Sequence, residues 1–226
     1  MDGESTARFA VGDGYAVYRG PVEDSAFHRH AAFQVAIAVR GEVTLVDAAG
    51  THRAPVLVVP PMARHRMLGT PELVTYFVEP HCAFADRLRG HGGGITAVPG
   101  LRGLREEDLR AGTSTTLDPR LVAALDALRD ASPMPTVAAL VGLSPQRLRA
   151  LARDQLGMPL PRWRLWSRLR HAAQALGAGE SPAEAAITAG FADQAHLTRR
   201  MREMIGLTPA AVLPVLRAGR TAPTRP

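Results

Sequence analysis

Two short segments of the chain combine a glycine turn with a following helix whose outer face carries Gln and Arg. The first, residues 139–148, reads ALVGLSPQRL, and the second, residues 186–197, reads AITAGFADQAHL. Each has an apolar helix end, a glycine, an apolar Leu or Phe, and a capping Ser or Asp, which is typical of a helix-turn-helix. Gln pairs well with adenine and Arg with guanine, so the predicted chemistry is the reading of double-stranded DNA.

The first predicted recognition helix begins after Ser144, a good N-cap residue. Leu148, Leu151 and Ala152 recur at helical spacing and are expected to face the core. The side chains left facing outward are Gln146, Arg147, Arg149, Ala150 and Arg153. The first turns of a recognition helix meet base edges, so the best candidate base readers are Gln146, Arg149 and Ala150.

The second predicted recognition helix is capped by Asp193. Leu197, Met201 and either Met204 or Ile205 are expected to face inward. The outward side chains are Gln194, Ala195, His196, Thr198, Arg199 and Arg200. Arg168 and Arg202 are candidates for phosphate contacts, which position a protein on DNA without reading its sequence. The alternative for every one of these residues is an ordinary solvated helix face.

The charge distribution agrees with a DNA-binding C-terminal half. Residues 117–226 hold 15 of the 27 basic and 8 of the 21 acidic residues, a net charge of +7, whereas residues 1–116 have a net charge of −1. An electrostatic footprint for DNA requires such a basic region. All 27 basic residues are Arg, which indicates a coding bias and weakens each Arg as evidence of base recognition.

Composition excludes several other classes of protein. Cys82 is the only cysteine, so no intramolecular disulfide and no zinc site built from cysteines is expected. The chain shows no signal segment and no apolar run of membrane-spanning length. We therefore expect a cytoplasmic protein without a membrane partner.

Residues 119–216 resemble the DNA-binding domain of the AraC/XylS family of transcription regulators. The matching positions include Leu140, Gly142, Leu143, Ser144, Leu148, Gly157, Pro159, Arg168, Leu169, Ala172, Leu176, Ala185, Ala186, Gly190, Phe191, Asp193, His196, Leu197, Gly206, Thr208 and Pro209. The resemblance implies seven helices, with a central helix joining two helix-turn-helix units. This chain departs from the family at Ala150, where a long polar side chain is common, and at Val212-Leu213, where an aromatic-Arg pair is common.

Residues 1–80 are predicted to form β structure, because short apolar stretches at 33–39, 43–46, 56–59 and 73–78 alternate with turns. Their close spacing favours a sandwich or small barrel. Helices are predicted at 82–90 and 101–111, followed by a polar connection at 112–118 and a disordered tail beyond about 217. The fold class is therefore α+β with two domains, a β-rich domain at 1–112 and an all-α domain at 113–226.

His28, His30 and Gln34 share one face if their segment is an extended strand, and His65 follows a proline turn. This pattern is similar to the two cupin motifs, in which the matching positions are three His and one Glu. The resemblance implies a barrel in which His28, His30, Gln34 and His65 hold Zn, Cu, Ni or Fe(II). The alternatives are an organic effector in the same pocket, beside the small Ala36 and Ala38, or a purely structural role.

The remaining residues of the N-terminal half receive structural assignments. Phe33, Val35, Ile37 and Val39 are expected to form the core between two sheets, with dimerisation through part of that surface as the alternative. Three histidines are expected on the surface: His52, His81 and His91. A solvated helix face is expected for Asp86, Arg87 and Arg89.

The leading hypothesis is a non-enzymatic, sequence-specific transcription regulator controlled by a small molecule or a metal in the cupin pocket. Its expected partners are double-stranded DNA, that effector, RNA polymerase and a second copy of the chain as a homodimer. One alternative is a metal-dependent cupin enzyme attached to a DNA-binding domain, against which Gln34 and the lack of an acidic base beside the histidines count. The other is a constitutive DNA binder whose barrel only dimerises.

Overall fold

The computed structural model describes residues 7–109, 112–130 and 132–218. Residues 7–109 contain the strands, and residues 112–130 and 132–218 contain most of the helices. The tail for which the sequence predicts disorder lies, from residue 219 onward, outside the described residues. The arrangement is the two-domain α+β fold expected from the sequence.

Two antiparallel sheets form the N-terminal part. In chain order the strands of the described residues are β1 (Arg8–Gly12), β2 (Tyr15–Val22), β3 (Phe33–Ala38), β4 (Val43–Asp47), β5 (Gly50–Ala54), β6 (Val56–Val59), β7 (Arg66–Met67), β8 (Thr70–Val78) and β9 (Thr96–Ala97). One sheet has the order β1-β2-β8-β3-β6-β9 and the other β5-β4-β7. Strand β3 is hydrogen-bonded to β8 on one edge and to β6 on the other, and all six of its residues are buried.

The two faces of β3 pack in the opposite sense to the prediction. Ala36 and Ala38 join the buried cluster shared with Leu45 of the second sheet. Phe33, Val35 and Ile37, expected between the sheets, pack instead under the helical segment that follows β8. The small side chains thus belong to the core between the sheets, where large side chains from the second sheet meet them.

The segment after β8 contains one helix and two short turns. Helix α1 (Ala83–Arg89) confirms the predicted helix at 82–90. The helix predicted at 101–111 is wrong, because the chain forms separate 3₁₀ turns at Pro99–Leu101 and Glu106–Leu109. Gly103 disfavours a continuous helix, and the Asp108 carboxylate accepts a hydrogen bond from the Arg105 amide at 2.8 Å, which starts the second turn anew.

The polar connection at 112–118 is fixed to α1 by Asp86. The Asp86 carboxylate accepts hydrogen bonds from the Thr115 amide at 2.8 Å, from the Ser114 hydroxyl at 2.5 Å and from the Thr116 hydroxyl at 2.9 Å. Arg89 pairs with Asp86 and also donates to Thr116. The prediction of a solvated face is therefore wrong for Asp86 and Arg89, since tertiary contacts with the connection cover them.

Seven α-helices follow within the described residues, as the family resemblance implied. They are α2 (Pro119–Ala127), α3 (Met134–Leu140), α4 (Pro145–Leu156), α5 (Leu160–Ala178), α6 (Pro182–Thr188), α7 (Gln194–Ile205) and α8 (Pro209–Ala218). Trp163 of α5 is fully buried at the centre of this region and donates its indole N–H to the Leu125 carbonyl at 3.0 Å. No helix among the described residues is long and apolar enough to cross a membrane.

Side-chain caps fix where the helices of this region begin. Ser144 accepts from the Arg147 amide ahead of α4, and Asp193 accepts from the His196 amide ahead of α7. Ser181 forms a capping box with Glu184 at the start of α6. Each such cap satisfies backbone N–H groups that the helix itself leaves without partners. The predicted starts of α4 and α7 are confirmed for this reason.

Candidate nucleic-acid interface and histidine cluster

Helices α3 and α4 form the first helix-turn-helix unit. Leu148, Leu151 and Ala152 of α4 are buried in the core of the helical region. The five side chains predicted to face outward are all exposed: Gln146, Arg147, Arg149, Ala150 and Arg153. Within the described residues the guanidinium of Arg149 has no hydrogen-bonding or ionic partner, so this face is available to an external ligand.

Helices α6 and α7 form the second unit. Leu197, Met201 and Met204 are buried, which resolves the choice between Met204 and Ile205 in favour of Met204. Of the predicted outward residues, His196 and Thr198 are half-buried, and the others are exposed: Gln194, Ala195, Arg199, Arg200 and Arg202. The hydroxyl of Thr198 donates to the Gln194 carbonyl at 2.8 Å, and Arg200 pairs with Glu203 at 2.7 Å. The face of α7 therefore has more internal partners than that of α4.

The turn between α6 and α7 is built around Phe191. The guanidinium of Arg168, from α5, lies over the Phe191 ring at 4.3 Å and donates through Nε to the Ala189 carbonyl at 3.1 Å. His196 meets the same ring edge-on, with 5.4 Å between ring centroids. Arg168, a candidate for phosphate contact, and His196, a candidate base reader, thus both stabilise the turn.

A cluster of three histidines lies at one end of the sheets. His28 and His65 pair through their backbones, with each amide donating to the other carbonyl at 2.9 and 3.0 Å. Their ring centroids lie 4.4 Å apart, and that of His30 lies 5.1 Å from that of His65. The structure therefore brings together the three histidines predicted from the sequence, with Gln34 beside them.

The convergence does not come from a shared strand face. Strand β3 begins only at Phe33, so His28 and His30 lie in the irregular segment before it. The segment is fixed by the backbone pairing of His28 with His65 and by the Met62 amide, which donates to the His30 carbonyl at 2.8 Å. These contacts join residues distant in sequence, and an extended-strand argument could not predict them.

Hydrogen bonds orient all three imidazoles in the same sense. The Nδ1 atoms of His28, His30 and His65 lie 2.9, 2.7 and 3.0 Å from the carbonyls of residues 26, 32 and 63. A carbonyl only accepts, so each Nδ1 carries the proton and each Nε2 presents a lone pair. The Nε2 atoms of His30 and His65 lie 3.1 and 3.0 Å from Gln34 Oε1, whose amide nitrogen donates to Thr75.

Burial keeps these imidazoles neutral. It lowers the pKa of His28, lowers that of His30 well below the ordinary range, and lowers that of His65 to about 4. The positive charges on neighbouring histidines would lower the pKa of His30 and His65 further. At neutral pH the cluster is therefore a set of uncharged nitrogen donors with their lone pairs turned toward one another.

The donor set fits a divalent transition metal. The Nε2 lone pairs of His30 and His65 lie 3.1 and 3.0 Å from Gln34 Oε1, and with the amide in this orientation no proton lies between them. Metal–nitrogen bonds near 2.0–2.1 Å place neighbouring ligand atoms about 3.0–3.4 Å apart. The same contacts are also satisfied without a metal if the Gln34 amide is rotated, because its NH₂ group then donates to both histidines and Thr75 donates to its oxygen. The metal content of the purified protein distinguishes a metal-bound cluster from one held by the rotated Gln34 amide.

Sequence reasoning missed a buried ionic cluster that joins the two parts of the chain. Glu79, directly after β8, is 1% exposed and accepts from Trp166 at 3.1 Å, from Arg170 at 2.8 Å and from Arg129 at 2.8 Å. His81, predicted on the surface, is 4% exposed and lies beside Arg129. The one available signal was a Glu at the end of an apolar strand, Val-Glu-Pro-His, where a charge needs a partner once buried.

The comparisons with known proteins agree with this architecture. Residues 137–213 match a family model described as a helix-turn-helix domain. Apo ToxT K231A from Vibrio cholerae has a TM-score of 0.62 at 11% identity, over 92% of this chain and 99% of that one. Wild-type ToxT with bound unsaturated fatty acid has a TM-score of 0.61 at 11% identity, over 96% and 99%.

A shorter solved structure matches the C-terminal part of the chain. It is a transcriptional regulator from Chromobacterium violaceum, described among AraC-type DNA-binding domain-containing proteins, with 25% identity over 46% of this chain and 95% of that one, at a TM-score of 0.41. None of the curated proteins compared with the chain matches it. Residues 137–213 thus match a helix-turn-helix domain, within a chain whose fold is similar to that of ToxT over 92% of its length.

Proposed function

We propose that the protein is a sequence-specific transcription regulator that reads double-stranded DNA with α4 and α7. The observation that carries this proposal is the pair of capped helices, each with a buried apolar side and an exposed side bearing Gln and Arg, held by α5 in one core. We take residues 113–226 as the DNA-binding domain and residues 1–112 as the sensor. A regulator of this kind acts in the cytoplasm, where its DNA is.

The exposed side chains divide into two roles. Near the helix starts, base reading is assigned to Gln146, Arg149, Ala150, Gln194, Ala195 and Arg199, with Gln suited to adenine, Arg to guanine and the Ala methyl to thymine. The remaining exposed arginines are assigned to phosphates, namely Arg147, Arg153, Arg200 and Arg202. Thr198 can still accept a hydrogen bond through its hydroxyl oxygen, whereas His196, whose ring nitrogens face the Ala192 amide and the Arg200 guanidinium, would have to release one of them to read a base.

Selection of binding sites from random duplexes tests this function. We expect enrichment of a motif with two short elements about one helical turn apart, because two recognition helices on one face enter successive major-groove segments. Arg149→Ala and Arg199→Ala should each relax one position of the motif, in different elements. Failure of any sequence to enrich, with the protein folded, would contradict sequence-specific reading.

We propose further that the N-terminal part senses a ligand at the histidine cluster. ToxT has been crystallised with an unsaturated fatty acid, so a chain of this fold accommodates a small effector. In the present chain the cluster consists of three neutral imidazoles and an amide, which suits Zn, Cu, Ni or Fe(II). His28, His30, His65 and Gln34 would hold the ion, which would supply a positive charge to a site that has none.

Elemental mass spectrometry of the protein purified without a histidine tag tests the metal. The matched comparison is a His28→Ala/His65→Ala variant, with circular dichroism as the control for folding. We expect near-stoichiometric metal in the natural chain and its loss in the variant. Absence of metal from both would leave the rotated Gln34 amide as the partner of the histidines and would direct the search to an organic effector.

A further inference from the structure

We propose that ligand binding at the histidine cluster is transmitted to the second helix-turn-helix unit alone, through the contact of His28 with the C-terminal end of α7. The proposal rests on the function assigned above and specifies how that sensor acts on DNA. Occupancy of the cluster would change the position of α7, whereas α4 would respond only through the common core. The effector would therefore change the affinity of the protein for the DNA element that α7 contacts, and not for the element that α4 contacts.

The end of α7 lies directly against the cluster. Gly206 caps the helix in the left-handed region, with φ +78°, and a Cβ at this position would lie 2.8 Å from His28 Nδ1 and 3.0 Å from the Ala26 carbonyl. That carbonyl is the one that accepts from His28 Nδ1. The end of α7 therefore lies directly beside the hydrogen bond that orients His28.

A backbone contact reinforces this junction. The amide of Arg29, which lies between two of the histidines, faces the Glu203 carbonyl in the last turn of α7 at 3.4 Å. The next residues of the same segment, Ala31 and Ala32, are fully buried in the core cluster of the helical region. The segment that carries two of the cluster's imidazoles is thus packed as part of the DNA-binding domain.

The first unit has no equivalent contact. Gly157 ends α4 with φ +67°, the same left-handed conformation as Gly206, yet a Cβ on Gly157 would have no atom within 4 Å among the described residues. The two recognition helices therefore end in the same way, and of the two terminal glycines only Gly206 lies against the cluster among the described residues.

His28 is the imidazole most free to respond. The Nε2 atoms of His30 and His65 already contact Gln34, whereas His28 makes no such contact within the described residues. The candidate ligand atoms of the three histidines all lie within 4.8 Å of one another, and in a bound site neighbouring ligand atoms lie roughly 3.0–3.4 Å apart. Drawing His28 Nε2 toward the others turns the ring whose opposite edge meets Gly206.

The test measures coupling in both directions with Zn²⁺ and a selected DNA site. The operator Kd is measured by fluorescence anisotropy with and without saturating Zn²⁺, and the Zn²⁺ Kd by competition with and without operator. We expect each Kd to change by the same factor, about 5-fold or more, because linkage requires reciprocity. Unchanged operator affinity in a protein that binds both ligands would overturn the inference and leave the proposed function standing.

Two glycine variants locate the coupling. Gly206→Ala should weaken Zn²⁺ binding at least 10-fold, because its Cβ displaces His28, and should reduce the coupling. Gly157→Ala introduces the same backbone strain without a clash with His28, and it should leave both the Zn²⁺ Kd and the coupling unchanged. Equal behaviour of the two variants would overturn the assignment to α7. Failure of the natural chain to bind any operator, or to bind Zn²⁺, would instead count against the proposed function itself.

Hydrogen exchange in the natural chain provides a readout that does not depend on the variants folding. Addition of Zn²⁺ should change the protection of amides in the last turn of α7 and leave those of α4 unaltered. Equal changes in the two helices would contradict the proposed path and indicate a response of the whole core.

Discussion

The two helix-turn-helix units share one architecture but differ in what surrounds them. In the first, the outer face of α4 is exposed, and a Cβ on Gly157 would meet no atom within 4 Å among the described residues. In the second, Arg168 lies over the face of Phe191 and His196 meets its edge, Glu203 pairs with Arg162 and Arg200, and a Cβ on Gly206 would lie 2.8 Å from His28 Nδ1. The same motif therefore has an exposed recognition helix with few tertiary contacts in its first copy, and a recognition helix joined to its surroundings by several contacts in its second.

This difference has a physical reason in the sequence of each turn. The first unit has Leu143 in its turn, a half-buried side chain with no polar handle. The second has Phe191, a buried aromatic ring whose face attracts a guanidinium and whose edge meets an imidazole. Contacts with this ring thus hold His196 of the second unit and Arg168 of α5 in the structure of the turn.

The largest effect expected from this comparison concerns the two turn residues. Phe191→Ala should lower the free energy of unfolding by about 3–5 kcal/mol, since it leaves a cavity and removes the support of Arg168. Leu143→Ala, at the matched position of the first unit, should cost about 1–2 kcal/mol because Leu143 is only half-buried. Urea denaturation measures both, and equal losses would mean that the two turns contribute alike.

The next effect concerns the ionic cluster that joins α5 to the N-terminal part. Glu79→Gln should lower the free energy of unfolding by about 2–3 kcal/mol, because Arg129 and Arg170 lose a charged acceptor in a buried place. Glu72→Gln, which alters an exposed pair with Arg19, is the control and should change stability by less than about 0.5 kcal/mol. Similar effects of the two substitutions would argue against a strong role for Glu79.

Substitutions on the exposed faces of α4 and α7 should change the free energy of DNA binding by about 1–3 kcal/mol. Arg149→Ala and Arg199→Ala are each expected to weaken binding to the selected site by that amount, with little change on random DNA. Arg40→Ala removes an exposed charge from the N-terminal part and is the control. Anisotropy titrations at one salt concentration measure all three. Losses of equal size on specific and random DNA would reassign these arginines to phosphates.

The smallest effect concerns the polar connection at 112–118, which Asp86 fixes to α1. Burial alone would raise the pKa of Asp86, but hydrogen bonds from Ser114, Thr115 and Thr116 outweigh it and hold the pKa at about 2. The ordinary value is near 3.8, so the stabilisation from ionised Asp86 is present above pH 4 and is lost as the pH falls toward 2. Asp86→Asn should therefore differ from the natural chain at pH 6 and approach it at pH 2 in acid unfolding curves.

A control and an opposite outcome accompany the Asp86 experiment. Asp154→Asn changes an exposed carboxylate of α4 and should leave the curve almost unaltered. A difference between Asp86→Asn and the natural chain that does not depend on pH would show that the ionised form of Asp86 is not what holds the connection.

The sequence was sufficient where local chemistry determines structure. Ser144 and Asp193 mark the starts of α4 and α7 because a side-chain cap acts on its own helix. The predicted helix at 101–111 failed because Gly103 and the cap by Asp108 outweigh an apparently helical run of charged residues. Local propensity is a weak guide where turns are held by packing against the sheet.

Tertiary contacts decided the rest. The histidines were predicted as a set from their spacing, but their position against α7 depends on the pairing of His28 with His65 and on Gly206, which are far apart in the chain. The burial of His81 and Glu79 follows from the docking of α5, and the sequence indicates it only by placing Glu79 at the end of an apolar strand. Candidate ligands could be recognised from sequence, whereas what they touch could not.

The central claim, sequence-specific reading of DNA by two recognition helices, is tested most directly by one ratio. The affinity of the natural chain for its selected duplex is divided by its affinity for a shuffled duplex of the same composition, at one physiological salt concentration. The account predicts a ratio on the order of 10³ or more, typical of specific regulators. A ratio near one would mean that the basic helical region binds DNA by charge alone, and would contradict the account.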